Sequence, residues 1–216
     1  MSQAHDSRNF FLQGPAGKLE AVLWTPHAPD GRGAHDFAAV VCHPHPLFGG
    51  TLHNKVVYQA AKALDSLGIP VLRFNFRGAG LSEGAHDRGR GEQDDVRAAL
   101  NFLAAEFPKT PLVLAGFSFG CWVGLRVGCA DERVKKLIGI GAPVNSSDFS
   151  YLNDCAKAKL FVHGSNDEFG DVRKVQAMVK ELPGQNQLVI VSGVDHFFSG
   201  KIGELGQAIV DWMTGA

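Results

Sequence analysis

One short segment, Gly116-Phe117-Ser118-Phe119-Gly120, constrains the fold of this chain more than any other. The apolar run Thr110–Ala115 before it predicts a buried strand, and the small, apolar run Cys121–Cys129 after it is typical of a buried helix. A serine in a sharp turn between a strand and a helix, with a glycine two residues away on each side, is the context of a nucleophile elbow. Such a turn strains the serine backbone and lifts its hydroxyl above the sheet edge. We therefore predict that Ser118 is a nucleophile.

A second match to the Gly-x-Ser-x-Gly pattern lies at Gly80–Gly84, around Ser82. Glycine is abundant here, with 26 in 216 residues, so the pattern also arises by chance and only its context gives it meaning. Polar, glycine-rich residues follow Ser82 where a nucleophile elbow needs a helix. We therefore do not expect Ser82 to be the nucleophile.

Strands and helices alternate from Phe37 onwards, which predicts a mostly parallel sheet with helices on both faces, in a single domain over residues 1–216. A turn signal at Gly14–Gly17 predicts an antiparallel hairpin before it, and Pro26–Asp36 is a predicted surface loop. The predicted strands are Asn9–Gln13, Lys18–Thr25, Phe37–Cys42, Pro70–Phe76, Thr110–Ala115, Val134–Gly141, Lys159–His163 and Gln187–Val191. The predicted helices are His53–Leu67, Glu92–Phe107, Cys121–Cys129, Asp171–Leu182 and Gly203–Met213.

The composition, 45% hydrophobic and 20% charged, is that of a soluble globular protein. A net charge of −1 gives no broad attraction to nucleic acid or to an anionic membrane, and no apolar run approaches the ~18 residues of a membrane helix. The start of the chain lacks the pattern of a signal peptide. The four cysteines show no C-x-x-C spacing, which favours free thiols in a reducing compartment: Cys42, Cys121, Cys129 and Cys155. We therefore expect a cytoplasmic protein with no nucleic-acid or membrane partner.

Two later loops carry the partners that a serine nucleophile needs. The loop after the strand Lys159–His163 carries Asp167, and the loop after the strand Gln187–Val191 carries His196. A serine hydroxyl needs an imidazole base, and the imidazole needs a carboxylate to hold its tautomer. Because the carboxyl ends of parallel strands meet at one edge of the sheet, these loops can converge on Ser118. We predict a Ser118–His196–Asp167 triad.

Other carboxylates compete with Asp167 for the role of the acid. Asp195 precedes His196 directly, but neighbouring loop side chains usually diverge, so Asp195 is interpreted as a solvated turn residue. Asp171 fits the N-cap of a predicted helix. Glu168 remains a further alternative, and Asp167 is favoured.

A serine hydrolase also needs backbone donors for an oxyanion. Phe119 supplies one N–H because it follows the nucleophile. The second should come from the loop His43–Gly50, His-Pro-His-Pro-Leu-Phe-Gly-Gly, whose two prolines have no N–H. The choice therefore lies between His45, Leu47 and the residues just after.

The His-x-His pair in that loop also raises the possibility of a metal site. Zinc needs further ligands at fitting positions, and no matching motif follows. We therefore predict no metal and no organic cofactor, and we interpret His43 as a residue that packs and hydrogen-bonds under the loop.

Arg77 follows the predicted strand Pro70–Phe76 and stands near the expected mouth of the site. It could bind a substrate carboxylate, or it could hold the long, glycine-rich loop Gly78–Gly91 in place by hydrogen bonds. The second interpretation is favoured.

The motifs around Ser118, Asp167 and His196 resemble those of the α/β-hydrolase superfamily. Two further stretches, His43–Val57 and Arg73–Ser82, resemble more narrowly a group of small, lidless bacterial proteins known mainly as predicted hydrolases or esterases. The resemblance runs from about Lys18 to the C-terminus. It implies an α/β-hydrolase fold with eight strands, one of them antiparallel near the start, and the same three triad residues.

These features together predict a serine hydrolase that cleaves small carboxylic esters through an acyl-enzyme. Residues 142–158 are too few for a separate lid domain, so we expect an open cleft for a small acyl substrate. Thioesters, amides and dienelactone-type lactones use the same catalytic parts and remain alternatives. A non-catalytic binding protein on a hydrolase fold is the alternative from another class.

Overall fold

The structure is a computed structural model that describes residues 5–27 and 36–215, so most of the predicted loop Pro26–Asp36 lies outside the described residues. Eight strands form one sheet in the order β1-β2-β4-β3-β5-β6-β7-β8. The strands are β1 (His5–Gly14), β2 (Gly17–Pro26), β3 (Ala38–Cys42), β4 (Val71–Phe74), β5 (Leu112–Phe117), β6 (Val134–Ile140), β7 (Ala158–Gly164) and β8 (Asn186–Val191).

Five α-helices connect or follow these strands in the described part of the chain: α1 (Lys55–Asp65), α2 (Gly91–Glu106), α3 (Phe119–Ala130), α4 (Val172–Glu181) and α5 (Ile202–Thr214). Two short 3-10 turns, Pro46–Phe48 and Ser150–Asp154, lie in the loops. All eight predicted strands and all five predicted helices are confirmed, with ends that shift by a few residues. None of the helices in the described residues combines the length and the apolar character needed to cross a bilayer.

Among the strands of the described residues, β2 is the one that runs against the others. It pairs antiparallel with β1 on one side and with β4 on the other, whereas the pairs from β4 to β8 are all parallel. The predicted hairpin and the single antiparallel strand near the start of the sheet are therefore confirmed.

Helices cover both faces of the sheet because the central strands are apolar on both sides. In β3, Ala38, Val40 and Cys42 belong to the apolar cluster on the side of helices α2, α3 and α4, while Ala39 and Val41 belong to the cluster on the side of helices α1 and α5. A continuous apolar run is therefore what a fully covered parallel strand requires.

The register of the parallel strands brings four loops to one edge. Cys42 at the end of β3 pairs with Gly116 near the end of β5, and Gly164 at the end of β7 pairs with Val191 at the end of β8. The loops that carry His45, Ser118, Asp167 and His196 therefore leave the sheet on the same side, as expected at the carboxyl edge of such a sheet.

Candidate active site

The turn that carries Ser118 is a strained junction between a strand and a helix. Strand β5 ends at Phe117 and helix α3 begins at Phe119, so Ser118 alone makes the turn, with φ 55° and ψ −117°. Non-glycine residues rarely adopt such a conformation, and those that do are concentrated at functional sites. The predicted sharp turn between a strand and a helix is therefore present at Ser118.

Two glycines permit this turn through close approach of backbone segments. A Cβ atom on Gly116 would lie 2.2 Å from the carbonyl oxygen of Gly120, and a Cβ on Gly120 would lie 2.5 Å from the carbonyl oxygen of Cys42. Any side chain at these positions would push backbone apart. The glycines therefore let the first turn of α3 lie directly against β5 and the end of β3.

The three side chains predicted to form a triad lie in one hydrogen-bonded chain. His196 Nε2 is 2.9 Å from Ser118 Oγ, and His196 Nδ1 is 2.7 Å from Asp167 Oδ2. Both the imidazole and the carboxylate are buried. Asp167 Oδ1 accepts backbone N–H bonds from Phe169 at 2.9 Å and Gly170 at 3.2 Å, which hold the carboxylate towards the imidazole.

This geometry also selects the histidine tautomer. An ionised carboxylate only accepts hydrogen bonds, so the proton of His196 lies on Nδ1 and Nε2 accepts from the Ser118 hydroxyl. The ring is packed against Phe169, with centroids 4.6 Å apart, and against Phe117, at 4.8 Å. Gly141, with φ 53°, passes so close that a Cβ there would lie 3.1 Å from His196 Cε1. These contacts hold the imidazole in one orientation.

The competing carboxylates have other partners. Asp195 accepts hydrogen bonds from Ser199 N at 3.0 Å and Ser199 Oγ at 2.8 Å, and these bonds lower the pKa of its carboxyl. Asp171 caps helix α4 by accepting two backbone N–H bonds of its first turn. Glu168 Oε2 lies 3.4 Å from the backbone nitrogen of His196, not from its ring. The interpretations of Asp195 as a turn residue and Asp171 as a helix cap are confirmed.

One residue beside the acid, His163, was missed by the sequence analysis. It is buried at the end of β7, and its Nε2 donates to the carbonyl oxygen of Gly170 at 2.7 Å while lying 3.6 Å from Asp167 Oδ2. The ring therefore anchors the loop that presents the carboxylate. The signal for it was its position as the last residue of the predicted strand Lys159–His163.

His43 fixes the loop after β3 from beneath. The backbone N–H of Phe76 donates to His43 Nε2 at 2.9 Å, so the ring proton lies on Nδ1, which donates to the carbonyl oxygen of Pro44 at 2.6 Å. Burial lowers the pKa of His43 to about 3, so the imidazole stays neutral at physiological pH. The predicted packing and hydrogen-bonding role of His43 is confirmed.

Most backbone donors of the loop His43–Gly50 have partners within the loop. Leu47 N donates to His45 Nδ1 at 3.2 Å, and the N–H groups of Phe48 and Gly50 donate to the carbonyl oxygen of His45 at 3.1 Å. By contrast, the N–H groups of His45 and Phe119 have no hydrogen-bond partner within residues 5–27 and 36–215. These two donors remain available beside the serine.

The histidines of this loop do not gather metal ligands around them. In the part of the chain that the structure describes, no cluster of three or more His, Cys, Asp and Glu side chains is arranged to hold a metal ion. The rings of His43 and His45 both hydrogen-bond to the backbone of their own loop.

The side chain of Arg77 forms an ion pair with a buried carboxylate, that of Asp95. Its Nε and Nη2 atoms lie 2.8–3.1 Å from the carboxylate oxygens of Asp95, and its backbone N–H donates to the same group at 3.0 Å. The fork of hydrogen bonds to Asp95 raises the pKa of Arg77. The prediction that Arg77 holds the loop Gly78–Gly91 by hydrogen bonds was therefore wrong, because its side chain bonds to Asp95 of helix α2.

A cleft of about 710 Å³ opens above Ser118 and His196. This volume lies within the range of about 300–1,000 Å³ that is usual for small-molecule sites. Aromatic rings form much of its lining: Phe48, Phe119, Trp122, Phe169 and Phe197. Arg88 and Asp148 contribute charged side chains to a lining that is otherwise largely aromatic.

Comparisons with known proteins show which family has this architecture. Residues 40–158 match the model of a family described as the alpha/beta hydrolase fold. An uncharacterized protein of Rickettsia prowazekii is 36% identical over 94% of this chain and 87% of its own length.

Two solved structures are similar over nearly their whole length. An α/β serine hydrolase homologue from Coxiella burnetii is 38% identical, with a TM-score of 0.89 over 95% of this chain and 97% of the other. An α/β serine hydrolase without a lid from Xanthomonas campestris is 41% identical, with a TM-score of 0.86 over 94% and 92%. The chain belongs to the α/β-hydrolase family. Within it, this chain is similar to lidless serine hydrolases.

Proposed function

We propose that this protein is a carboxylesterase-like serine hydrolase that uses Ser118, His196 and Asp167 as a catalytic triad. The observation that carries the proposal is the pair of short hydrogen bonds, 2.9 and 2.7 Å, that join Ser118 Oγ through His196 to the buried Asp167 carboxylate. A hydroxyl alone is a weak nucleophile, and this arrangement supplies the base that activates it.

The first half of the reaction transfers the acyl group to the serine. As Ser118 Oγ attacks the ester carbon, its proton passes to His196 Nε2, and Asp167 stabilises the imidazolium that forms. His196 then gives the proton to the leaving alcohol. The packed ring and the fixed carboxylate reduce the reorganisation that this proton transfer needs.

The negative charge that develops on the ester oxygen needs donors that are already in place. The free backbone N–H groups of Phe119 and His45 are our candidates for this oxyanion hole, because Leu47 N already donates to His45 Nδ1. In the second half of the reaction, water loses a proton to His196 and attacks the acyl carbon, which releases the acid. No step requires a metal or an organic cofactor.

The substrate class proposed is a small carboxylic ester bound in the cleft of about 710 Å³. The four cysteines are free thiols, which supports the proposed cytoplasmic location. We also propose that residues 1–216 form one domain.

The test begins with a fluorophosphonate probe, which reacts with activated serines. We expect the parent protein to be labelled at Ser118 and the Ser118→Ala variant to remain unlabelled. A panel of short p-nitrophenyl esters and acyl-CoA thioesters then measures kcat/KM for each substrate.

The outcome of the panel separates the alternatives. Higher kcat/KM for esters supports the proposal, and higher kcat/KM for acyl-CoA would replace it with a thioesterase. An unlabelled parent protein that turns over neither class would indicate a non-catalytic binding protein.

A further inference from the structure

One side of the cleft is built by the segment His86–Arg90, which precedes helix α2. His86 and Arg88 both line the cleft that contains Ser118. Neither residue was identified by the sequence analysis, which considered Arg77 as the arginine for a substrate carboxylate. Asp95 already pairs with Arg77, so Arg77 is not free to bind a substrate carboxylate. The role of the charged side chains in the segment His86–Arg90 therefore remains to be explained.

Among the residues that the structure describes, Arg88 is a cation without a partner. Within residues 5–27 and 36–215, its side chain forms no hydrogen bond, ion pair or cation–π contact. The one carboxylate in the cleft wall, Asp148, already accepts from Ser150 N at 2.9 Å and Ser150 Oγ at 2.8 Å, and Arg126 Nη2 lies 3.9 Å away. The charge that the cleft leaves unpaired is therefore positive.

The backbone that presents Arg88 is held in place by a buried carboxylate. Glu92 is fully buried and accepts the N–H groups of Asp87 at 2.7 Å and Gly89 at 2.8 Å, which flank Arg88 on both sides. Its Oε1 atom also lies 2.8 Å from His86 Nδ1. Arg88 therefore extends from an anchored turn.

The conformation of this turn is unfavourable for an arginine. Arg88 has φ 52°, in the left-handed region that glycine or asparagine adopts with less strain. Gly89 packs so closely on Trp122 that a Cβ there would lie 2.4 Å from the indole ring. Trp122 in turn donates from Nε1 to the carbonyl oxygen of Asp148 at 2.9 Å, so one ring holds both walls of the cleft.

We propose that Arg88 binds a carboxylate of the substrate, so that the enzyme prefers esters with an apolar body and one negative charge. The planar guanidinium fork matches a carboxylate, and the aromatic lining suits the rest of the molecule. This inference rests on the proposed ester hydrolase function and names the substrate class of that site. The carboxylate can belong to the acyl group or to the leaving alcohol.

Two substrate pairs distinguish these sources. For the acyl group, p-nitrophenyl hemiglutarate is compared with p-nitrophenyl pentanoate. For the leaving group, 3-carboxyphenyl butanoate is compared with 3-carbamoylphenyl butanoate. We expect kcat/KM of the parent enzyme to favour the anionic member of at least one pair by about tenfold, a modest factor because Arg88 is exposed and screened by solvent.

Matched variants assign the preference to one residue. Arg88→Gln should abolish the preference, because it should lower kcat/KM of the anionic ester about tenfold relative to that of its neutral counterpart. Arg90→Gln removes an exposed charge two residues away that does not line the cleft, so it should keep the preference. Equal preference in parent and Arg88→Gln, equal losses in both variants, or no preference in either pair would overturn the inference.

Binding without turnover separates this inference from the proposed function. In the Ser118→Ala background, calorimetry with p-nitrophenyl hemiglutarate and 3-carboxyphenyl butanoate should show about tenfold weaker binding when Arg88→Gln is added. If the parent turns over no ester, the proposed function fails, and the binding measurement alone tests whether Arg88 binds a carboxylate. Weaker binding then supports the carboxylate site, and unchanged binding or no binding overturns it.

Discussion

The two Gly-x-Ser-x-Gly turns share a sequence pattern but differ in which residue carries the strain. In the Ser118 turn the serine has φ 55°, and the glycines on either side serve the close approach of backbone segments. In the Ser82 turn the glycines carry the positive φ angles, 55° at Gly80 and 82° at Gly84, and the serine does not. The pattern alone therefore does not distinguish a strained serine from a relaxed one.

The hydrogen bonds of the two serines differ as much as their backbones. Ser82 Oγ accepts from Glu20 N at 2.9 Å and donates to Asn75 O at 2.8 Å, so the hydroxyl is used to join two segments of the structure. Ser118 Oγ contacts His196 and faces an open cleft. A serine turn can thus be built for stability or for reactivity, and the partners of the hydroxyl decide which.

The largest expected effect tests this difference directly. Ser118→Ala should lower kcat/KM for an ester by about 10⁴- to 10⁶-fold, because the proposed nucleophile is removed. Steady-state kinetics with a p-nitrophenyl ester, beside circular dichroism for the fold, measures the effect. A fully active Ser118→Ala enzyme would show that the strained serine is not the nucleophile.

The second-largest expected effect comes from a change at Asp167, which bonds to the histidine that contacts Ser118 and has no counterpart beside Ser82. Asp167→Asn should reduce kcat by up to about 10⁴-fold, because an amide stabilises the wrong tautomer of His196. Asp195→Asn is the matched control, since this carboxylate bonds to its own turn, and it should stay within a few-fold of the parent rate. If Asp195→Asn were the inactive variant, the acid would have to be reassigned.

A smaller effect concerns the free donors beside the elbow. His45→Pro removes the backbone N–H proposed for the oxyanion hole and should cost roughly 10²- to 10³-fold in kcat. His45→Gln keeps that N–H, so it should retain most of the activity. Parent enzyme assayed with EDTA should be unaffected. Loss of activity both in His45→Gln and with EDTA would instead indicate that the imidazole binds a metal.

The order of strands and helices along the chain could be predicted from the sequence, because this order depends on local patterns. Apolar runs, glycine turns and helix caps marked every element, and the order of Ser118, Asp167 and His196 along the chain indicated which loops should meet. Contacts between distant side chains left no such signal. Arg77 and Asp95 are 18 residues apart, and nothing in the local pattern showed that one would neutralise the other.

The cleft wall was missed for the same reason. In the sequence, Glu92 is only the first residue of the predicted helix Glu92–Phe107. The structure shows in addition that this buried side chain binds two backbone N–H groups and so shapes the turn around Arg88. A role of that kind becomes visible only when the loop and the helix are placed together.

The smallest expected effect on activity is that of Ser82→Ala, which should instead lower the stability of the fold. Ser82→Ala should leave kcat/KM within a few-fold of the parent value, because Ser82 does not line the cleft. It should still cost about 1–3 kcal/mol in the free energy of unfolding, because Glu20 N and Asn75 O lose their partner. For a chain of this size, that loss lowers Tm by about 2–12 °C.

Ser7→Ala is the matched control for this last change. Ser7 is an exposed strand residue, so its removal should alter the free energy of unfolding by less than about 0.5 kcal/mol. Thermal unfolding of both variants, with ester kinetics on the same samples, gives the comparison. A Ser82→Ala protein that keeps its Tm but loses its turnover would reverse the roles assigned to the two serines, because the hydroxyl that joins two segments would then be the one that reacts.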